Sequence, residues 1–197
     1  MDLIISLSVL IFSIIIHEIA HGYAAYLLGD DTAKRAGRLT LNPLSHLDPF
    51  GSIFLPLILV LTNSPVLFGW AKPVPINYGN LKNPRTDIRW VSMAGILANL
   101  CLVIIFTLVY HLSGIVLIKT ISISFVLYNL SLALFNSIPI PPLDGSRLLT
   151  SLLPYRAARW MHSVEPYGIL ILFILLYFKL FNFLGGWIYQ LLSILLG

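Results

Sequence analysis

Charge is scarce in this chain. Lys, Arg, Asp and Glu together make up 10% of its 197 residues, against roughly 25% in an ordinary soluble domain. Hydrophobic residues make up 58%, and the mean hydropathy is +0.90. Too few polar side chains remain to cover a water-soluble fold of this size, so an integral membrane protein is expected. Cysteine is almost missing. Cys101 is the single one, which excludes a disulfide within the chain and leaves the redox compartment open. Its apolar surroundings suggest a packed, inert thiol. A basic stripe interleaved with aromatics is also lacking. The net charge of +4 is scattered over the connections, which fits membrane-flanking charge and no nucleic-acid site. The apolar stretch 3–16 has no basic segment before it and runs straight into His17 and Glu18, so it reads as mature protein and not as a secretory signal. No internal repeat and no low-complexity tract is present.

What remains is a set of apolar runs. A helix crossing the hydrocarbon core needs about 20 apolar residues, and three runs qualify clearly: about 3–28, 89–110 and 115–136. Gly29 follows the first run where a helix C-terminus favours a left-handed residue. Residues 39–50 carry two prolines and alternate loosely, which suits a short strand or an ordered loop. The run 51–68 is interrupted by Pro56, Pro65 and a Thr-Asn-Ser triplet, and residues 69–87 read as a loop. An amphipathic stretch, 146–165, precedes two C-terminal apolar segments, 167–181 and 185–196, as two short helices or one kinked one. The expectation is a single domain over 1–197. It is an all-α polytopic membrane protein with a three-helix catalytic core, short strand or re-entrant elements, and C-terminal membrane helices.

Basic residues bear on run 51–68. If it crosses fully, positive charge is spread over both faces. If it dips in and returns, the basic loops at 34–38, 72–89 and 147–159 share one face, with Lys119 opposite. The positive-inside rule favours the second arrangement and makes the crowded face cytoplasmic. A re-entrant segment must then be buried in protein or line a cavity.

The chemistry concentrates in His17-Glu18-Ile19-Ala20-His21. Residues four apart lie on nearly one helix face, so both imidazoles can reach one cation. Neutral imidazoles suit zinc, and Glu18 stands close enough to act as a general base on water. The bland alternative is a pair of structural histidines beside a protonated Glu18. Against it, a charged residue at mid-membrane costs at least ~2.5–3.5 kcal/mol and usually persists for function. Catalytic zinc normally takes three protein ligands. The candidate third is Asp144, which follows prolines 139, 141 and 142 that break the helix. Its alternative role is the N-cap of a helix starting near Ser146.

These motifs together resemble the site-2 protease family of intramembrane zinc metalloproteases. The resemblance rests on H-E-x-x-H in the first core helix and N-x-x-P-x-x-x-L-D-G at 136–145. It also rests on LNPLSHLDPFG at 41–51 and FGWAKPVPIN at 68–77, which are similar to the compact prokaryotic branch. It implies one Zn2+ held by His17, His21 and Asp144, with Glu18 as the catalytic base. It further implies Asn136 near the substrate or oxyanion, and Asn99, from the G-x-x-x-N element at Gly95, as another such donor. Ile96 stands where many members have Pro. His46 lies in a recurring family element, where an extra ligand, a gate or a hydrogen-bonded structural residue are the options. The substrates implied are single-span membrane proteins or peptides cut within or beside their membrane segments, in a prokaryotic inner or plasma membrane. Because intact helix hides its carbonyls, the substrate must unwind, and an exposed strand edge within 39–50 or 69–80 is one place to receive it. With no PDZ-like or CBS-like domain read in the chain, regulation is expected from a membrane partner or from the membrane segments. A metal transporter is the main competing class. It would commonly carry repeated halves and has no need of Glu18.

Overall fold

A computed structural model describes residues 2–62 and 71–197. Four helical stretches are long and apolar enough to cross a membrane: Ile4–Leu27, Pro84–Leu112, Val116–Asn136 and Tyr155–Tyr177. The molecule is an all-α polytopic membrane protein. Its centre is formed by α1 (Asp2–Leu27), α4 (Pro84–Leu112) and α5 (Val116–Asn136), each packed on the other two. Helix α4 runs antiparallel to α1 and α5. At one end Lys82 N–H donates to Leu28 O, so α1 finishes and α4 begins at the same end of the bundle. The turn after α5 returns to that end.

The seams between these helices are small and polar rather than bulky. Ser13, Ser122, Val126, Asn99 and Asn129 are completely buried. Asn129 Nδ2 donates to Ser13 Oγ at 2.8 Å, and Ser13 Oγ donates to Val9 O. Lipid offers no hydrophobic drive for helices to associate, so close packing of small residues and such interhelical hydrogen bonds hold the seams. Phe106 stacks on Phe125 with 3.7 Å between ring centroids, and Phe12 meets Phe125 edge-on. Large apolar side chains such as Ile104, Leu108 and Val116 point outward, as a lipid-facing surface requires.

Helix α4 begins at Pro84, five residues before the apolar run. Asn83-Pro84 starts it: proline at the first position needs no amide partner, and Asp87 Oδ2 accepts from Asn83 N at 2.8 Å. The same logic settles 39–50, where the described residues contain no strand. Asn42 Oδ1 accepts from Leu44 N and opens a 3-10 turn, Pro43–His46. Asp48 Oδ1 accepts from Phe50 N and Gly51 N and opens a π-type turn, Pro49–Phe54. The ordered-loop option holds there, and the short strand does not form. Helix α3 (Leu55–Leu61) follows. The rest of run 51–68, and with it the choice between crossing and re-entry, extends beyond the described residues.

Beyond the core, a short α2 (Thr32–Arg35) follows α1. The expected amphipathic stretch is two helices, α6 (Asp144–Leu152) and α7 (Tyr155–Val164). A 3-10 turn at Glu165–Tyr167 then joins α7 to α8 (Gly168–Tyr177), so the stretch continues into the apolar segment instead of stopping before it. Pro166 sits in the first turn, where a missing N–H costs nothing. Helix α9 (Asn182–Leu196) lays Ile188, Leu191 and Leu195 against Val103, Val126 and Leu130. The two C-terminal segments are therefore separate helices.

Candidate active site

His17 and His21 lie one helical turn apart on α1, both more than nine-tenths buried. They sit roughly 9–15 Å, at 1.5 Å per residue, inside the end of α1. Asp144 is the first residue of α6. The N-cap position itself is held by Leu143, so the N-cap alternative is not what the carboxylate does. It turns instead toward α1: Asp144 Oδ2 lies 3.1 Å from His17 Nε2 and 3.1 Å from His21 Nε2. The two Nε2 atoms are 3.0 Å apart. Residues some 125 positions apart in sequence thus place three ligand-type atoms in a nearly equilateral triangle, the one such His/Cys/Asp/Glu group found among the described residues.

The triangle suits a metal by two observations. Asp144 Oδ2, though close to both rings, has no hydrogen bond of proper direction among the described residues. A buried carboxylate oxygen left this way needs a cation. Tetrahedral zinc with bonds of about 2.0–2.2 Å separates its ligands by roughly 3.3–3.6 Å, within a few tenths of an ångström of these edges.

Glycines make the approach feasible. A Cβ on Gly95 of α4 would lie 2.4 Å from His21 Nε2 and 2.6 Å from His17 Cε1, so only glycine lets both rings lie against α4. A Cβ on Gly145 would lie 2.4 Å from Ser137 O. The bare glycine lets α6 start directly on the turn that follows α5, which brings Asp144 inward.

The triad opens on a cavity of about 440 Å³ that Glu18, Val74, Phe135, Asn136 and Leu172 also line. Glu18 Oε2 accepts from Val74 N at 2.8 Å. Asn136 Nδ2 donates to Leu132 O at the cavity wall. Asn99, expected beside Asn136 as an oxyanion donor, is placed elsewhere. It is completely buried behind His17, with its amide 3.1 Å from His17 Nδ1. His46 is outside the triangle. Its Nε2 donates to Thr40 O at 2.8 Å, and its carbonyl accepts from Lys72 N, so it acts as a hydrogen-bonded loop residue.

Three features escaped the sequence reading. Segment 71–77 has no regular secondary structure and lines the site cavity, but it is no free strand edge. Lys72, Val74 and Asn77 spend their N–H groups on His46 O, Glu18 and Asp30, and Pro73 and Pro75 have none. Arg38, nearly buried, grips the segment from below by donating to Lys72 O at 2.8 Å and Pro73 O at 3.3 Å. Asp30, fully buried, accepts from Asn77 N, Asn80 Nδ2 and Thr32 N. Burial works against its ionisation, yet hydrogen bonds from Thr32, Asn80 and Asn77 outweigh it and hold the carboxyl below the usual carboxylate range. The signal available for both was a polar residue of fixed charge just past a membrane helix end.

The chain is 44% identical over 176 residues to "Putative zinc metalloprotease YwhC" of Bacillus subtilis, covering 84% of this chain and 77% of that protein. The chain belongs to this zinc metalloprotease family. Family members named "Putative zinc metalloprotease Rip2", from Mycolicibacterium smegmatis and Mycobacterium tuberculosis, are each 27% identical. The alignments cover 84% and 90% of this chain, and 64% and 67% of those longer metalloproteases. No family model and no solved structure matches the chain.

Proposed function

We propose that this metalloprotease is of the site-2 type, cutting single-span membrane proteins or peptides within or beside their membrane segments. The observation that carries the reading is the convergence of His17, His21 and Asp144 inside a bundle of helices long and apolar enough to span a membrane. These three residues would hold one zinc ion. When bound, zinc supplies Lewis acidity toward a peptide carbonyl and toward water.

The protein's own groups do the rest. Glu18 takes the proton of the attacking water at a carboxylate oxygen, with Val74 N–H fixing the orientation of that carboxylate. Asn136, at the cavity wall, has an amide N–H to offer the developing oxyanion. The substrate segment must leave its helix to expose a carbonyl. With the N–H groups of 72, 74 and 77 already engaged, recognition falls to the cavity walls more than to strand pairing.

The basic connections support a topology for the plasma membrane of a prokaryote. Lys34, Arg38, Lys72, Lys82, Arg85 and Arg147 belong to connections bonded to one another at one end of the bundle, which becomes the cytoplasmic face. Lys72 N also donates to His46 O at 2.9 Å, so residues on either side of run 51–68 meet at that face, which favours re-entry.

The test is zinc analysis of purified protein beside cleavage of a panel of single-span substrates in vesicles. Wild type is expected to bind zinc and cut. Glu18→Gln is expected to keep the metal and lose ~10²–10⁴-fold in rate, the worth of a positioned base. Cleavage by Glu18→Gln at the wild-type rate overturns the mechanism, and protein free of zinc after purification without chelators overturns the cofactor.

A further inference from the structure

One face of α4 carries Val91, Gly95 and Asn99, each four residues after the last, so they form a stripe along the helix. That stripe faces the histidine pair. Val91 O is 2.7 Å from His21 Nδ1. A carbonyl can only accept, so Nδ1 of a neutral His21 carries the ring proton and its Nε2 turns a lone pair into the triangle. Gly95 leaves room for both rings. Asn99 then meets His17 Nδ1 at 3.1 Å.

A carboxamide differs from the carbonyl in one respect: it can present either a donor or an acceptor. With Nδ2 against the ring, His17 Nδ1 accepts and the proton sits on Nε2, pointing into the triangle. In that tautomer the Nε2 proton faces His21 Nε2, 3.0 Å away, and blocks a metal from the ring. With Oδ1 against the ring, Nδ1–H donates and Nε2 is bare, which is the form a metal needs. Either way the far end of the amide has no partner among the described residues. Burial therefore does not choose between them; the demand at Nε2 does.

We propose that Asn99 is a positioning residue for His17, accepting through Oδ1 from Nδ1–H and so holding the ring in the tautomer whose bare Nε2 a metal needs. This rests on the zinc reading above. Position 99 then does for His17 with a side chain what Val91 O does for His21 with the backbone.

The experiment measures zinc affinity by chelator competition for wild type, Asn99→Leu and Asn99→Asp, in detergent, without reference to proteolysis. Leu matches the shape and offers no acceptor; Asp keeps the acceptor. Loss of an outer hydrogen bond to a metal-bound histidine typically weakens affinity 10–100-fold. That loss is expected for Asn99→Leu, with Asn99→Asp within a few-fold of wild type. Asn99→Leu at wild-type affinity overturns the proposal, as does equal loss in both variants, which would mark a packing role. Should Asn99→Leu not fold, 15N-histidine spectra of the zinc-loaded wild type decide. A protonated His17 Nδ1 supports the assignment, and a bare one overturns it. A wild type that binds no zinc defeats the underlying reading instead.

Discussion

A methyl group at position 95 would sit 2.4 Å from His21 Nε2, on a ring pinned through its Nδ1 by Val91 O and flanked by His17. The rings have nowhere to go, so Gly95→Ala is expected to weaken zinc binding at least tenfold while the spans still insert. Zinc at wild-type stoichiometry under chelator competition would show that the rings can shift. Asp30 poses a different question, about folding. Its carboxyl is held below the usual range, so its stabilising contribution is complete above the unfolded pKa of about 4. It fades as pH falls toward the lower folded value. Asp30→Asn removes charged hydrogen bonds worth roughly 1.5–3 kcal/mol. It should lower the melting temperature in detergent at pH 7 and flatten its fall below pH 4. A variant whose acid melting profile matches wild type assigns the fall to other groups. At this scale the sequence was readable where partners are local. His17, Glu18 and His21 follow from one helical turn, and Asp144 was found through the motif it belongs to. Asn99 was assigned to the oxyanion because nothing local says which face of α4 meets which face of α1, and a backbone partner such as Val91 O leaves no trace in residue type.

Apolar length alone located α1, α4 and α5, since a lipid-facing helix must satisfy its backbone internally. Their ends were harder to read, because capping outranks hydropathy there. Asn42-Pro43, Asp48-Pro49 and Asn83-Pro84 each open a helical turn, and reading that repeated pair would have replaced the strand and lengthened α4. Segment 71–77 has no periodicity at all; its course is set by distant partners, Arg38 foremost. Replacing Arg38 with Leu releases Lys72 O and Pro73 O and loosens the stretch that carries Val74 N–H to Glu18. We expect zinc content to be unchanged and cleavage to fall about tenfold, as loss of roughly 1.4 kcal/mol of orientation implies. A rise in activity would mean that the segment obstructs the cavity and that Arg38 holds it shut.

The molecule as a whole is organised by which end of the bundle holds water-loving groups. Lys82 N–H on Leu28 O, Asn77 and Asn80 on Asp30, and Arg147 on Tyr78 knit the end of α1, the 71–83 connection and α6 together. Trp90, Tyr155 and Trp160 are exposed there, as expected of aromatics at a membrane interface. Lys119 lies at the opposite end, at the start of α5. Since α1 ends and α4 begins at the same end of the bundle, residues 28–83 are expected to make no net crossing. Single cysteines in a Cys101→Ser background make this measurable with an impermeant thiol reagent. Cysteine at Lys34, Lys82 and Arg156 should react only after the cytoplasmic face is opened, and cysteine at Lys119 should react in intact cells. If the Lys34 and Lys82 positions are labelled from opposite faces, run 51–68 crosses. The hydrogen bond that joins their connections could not then exist in the membrane, and a site reached from the cytoplasm would lose its basis.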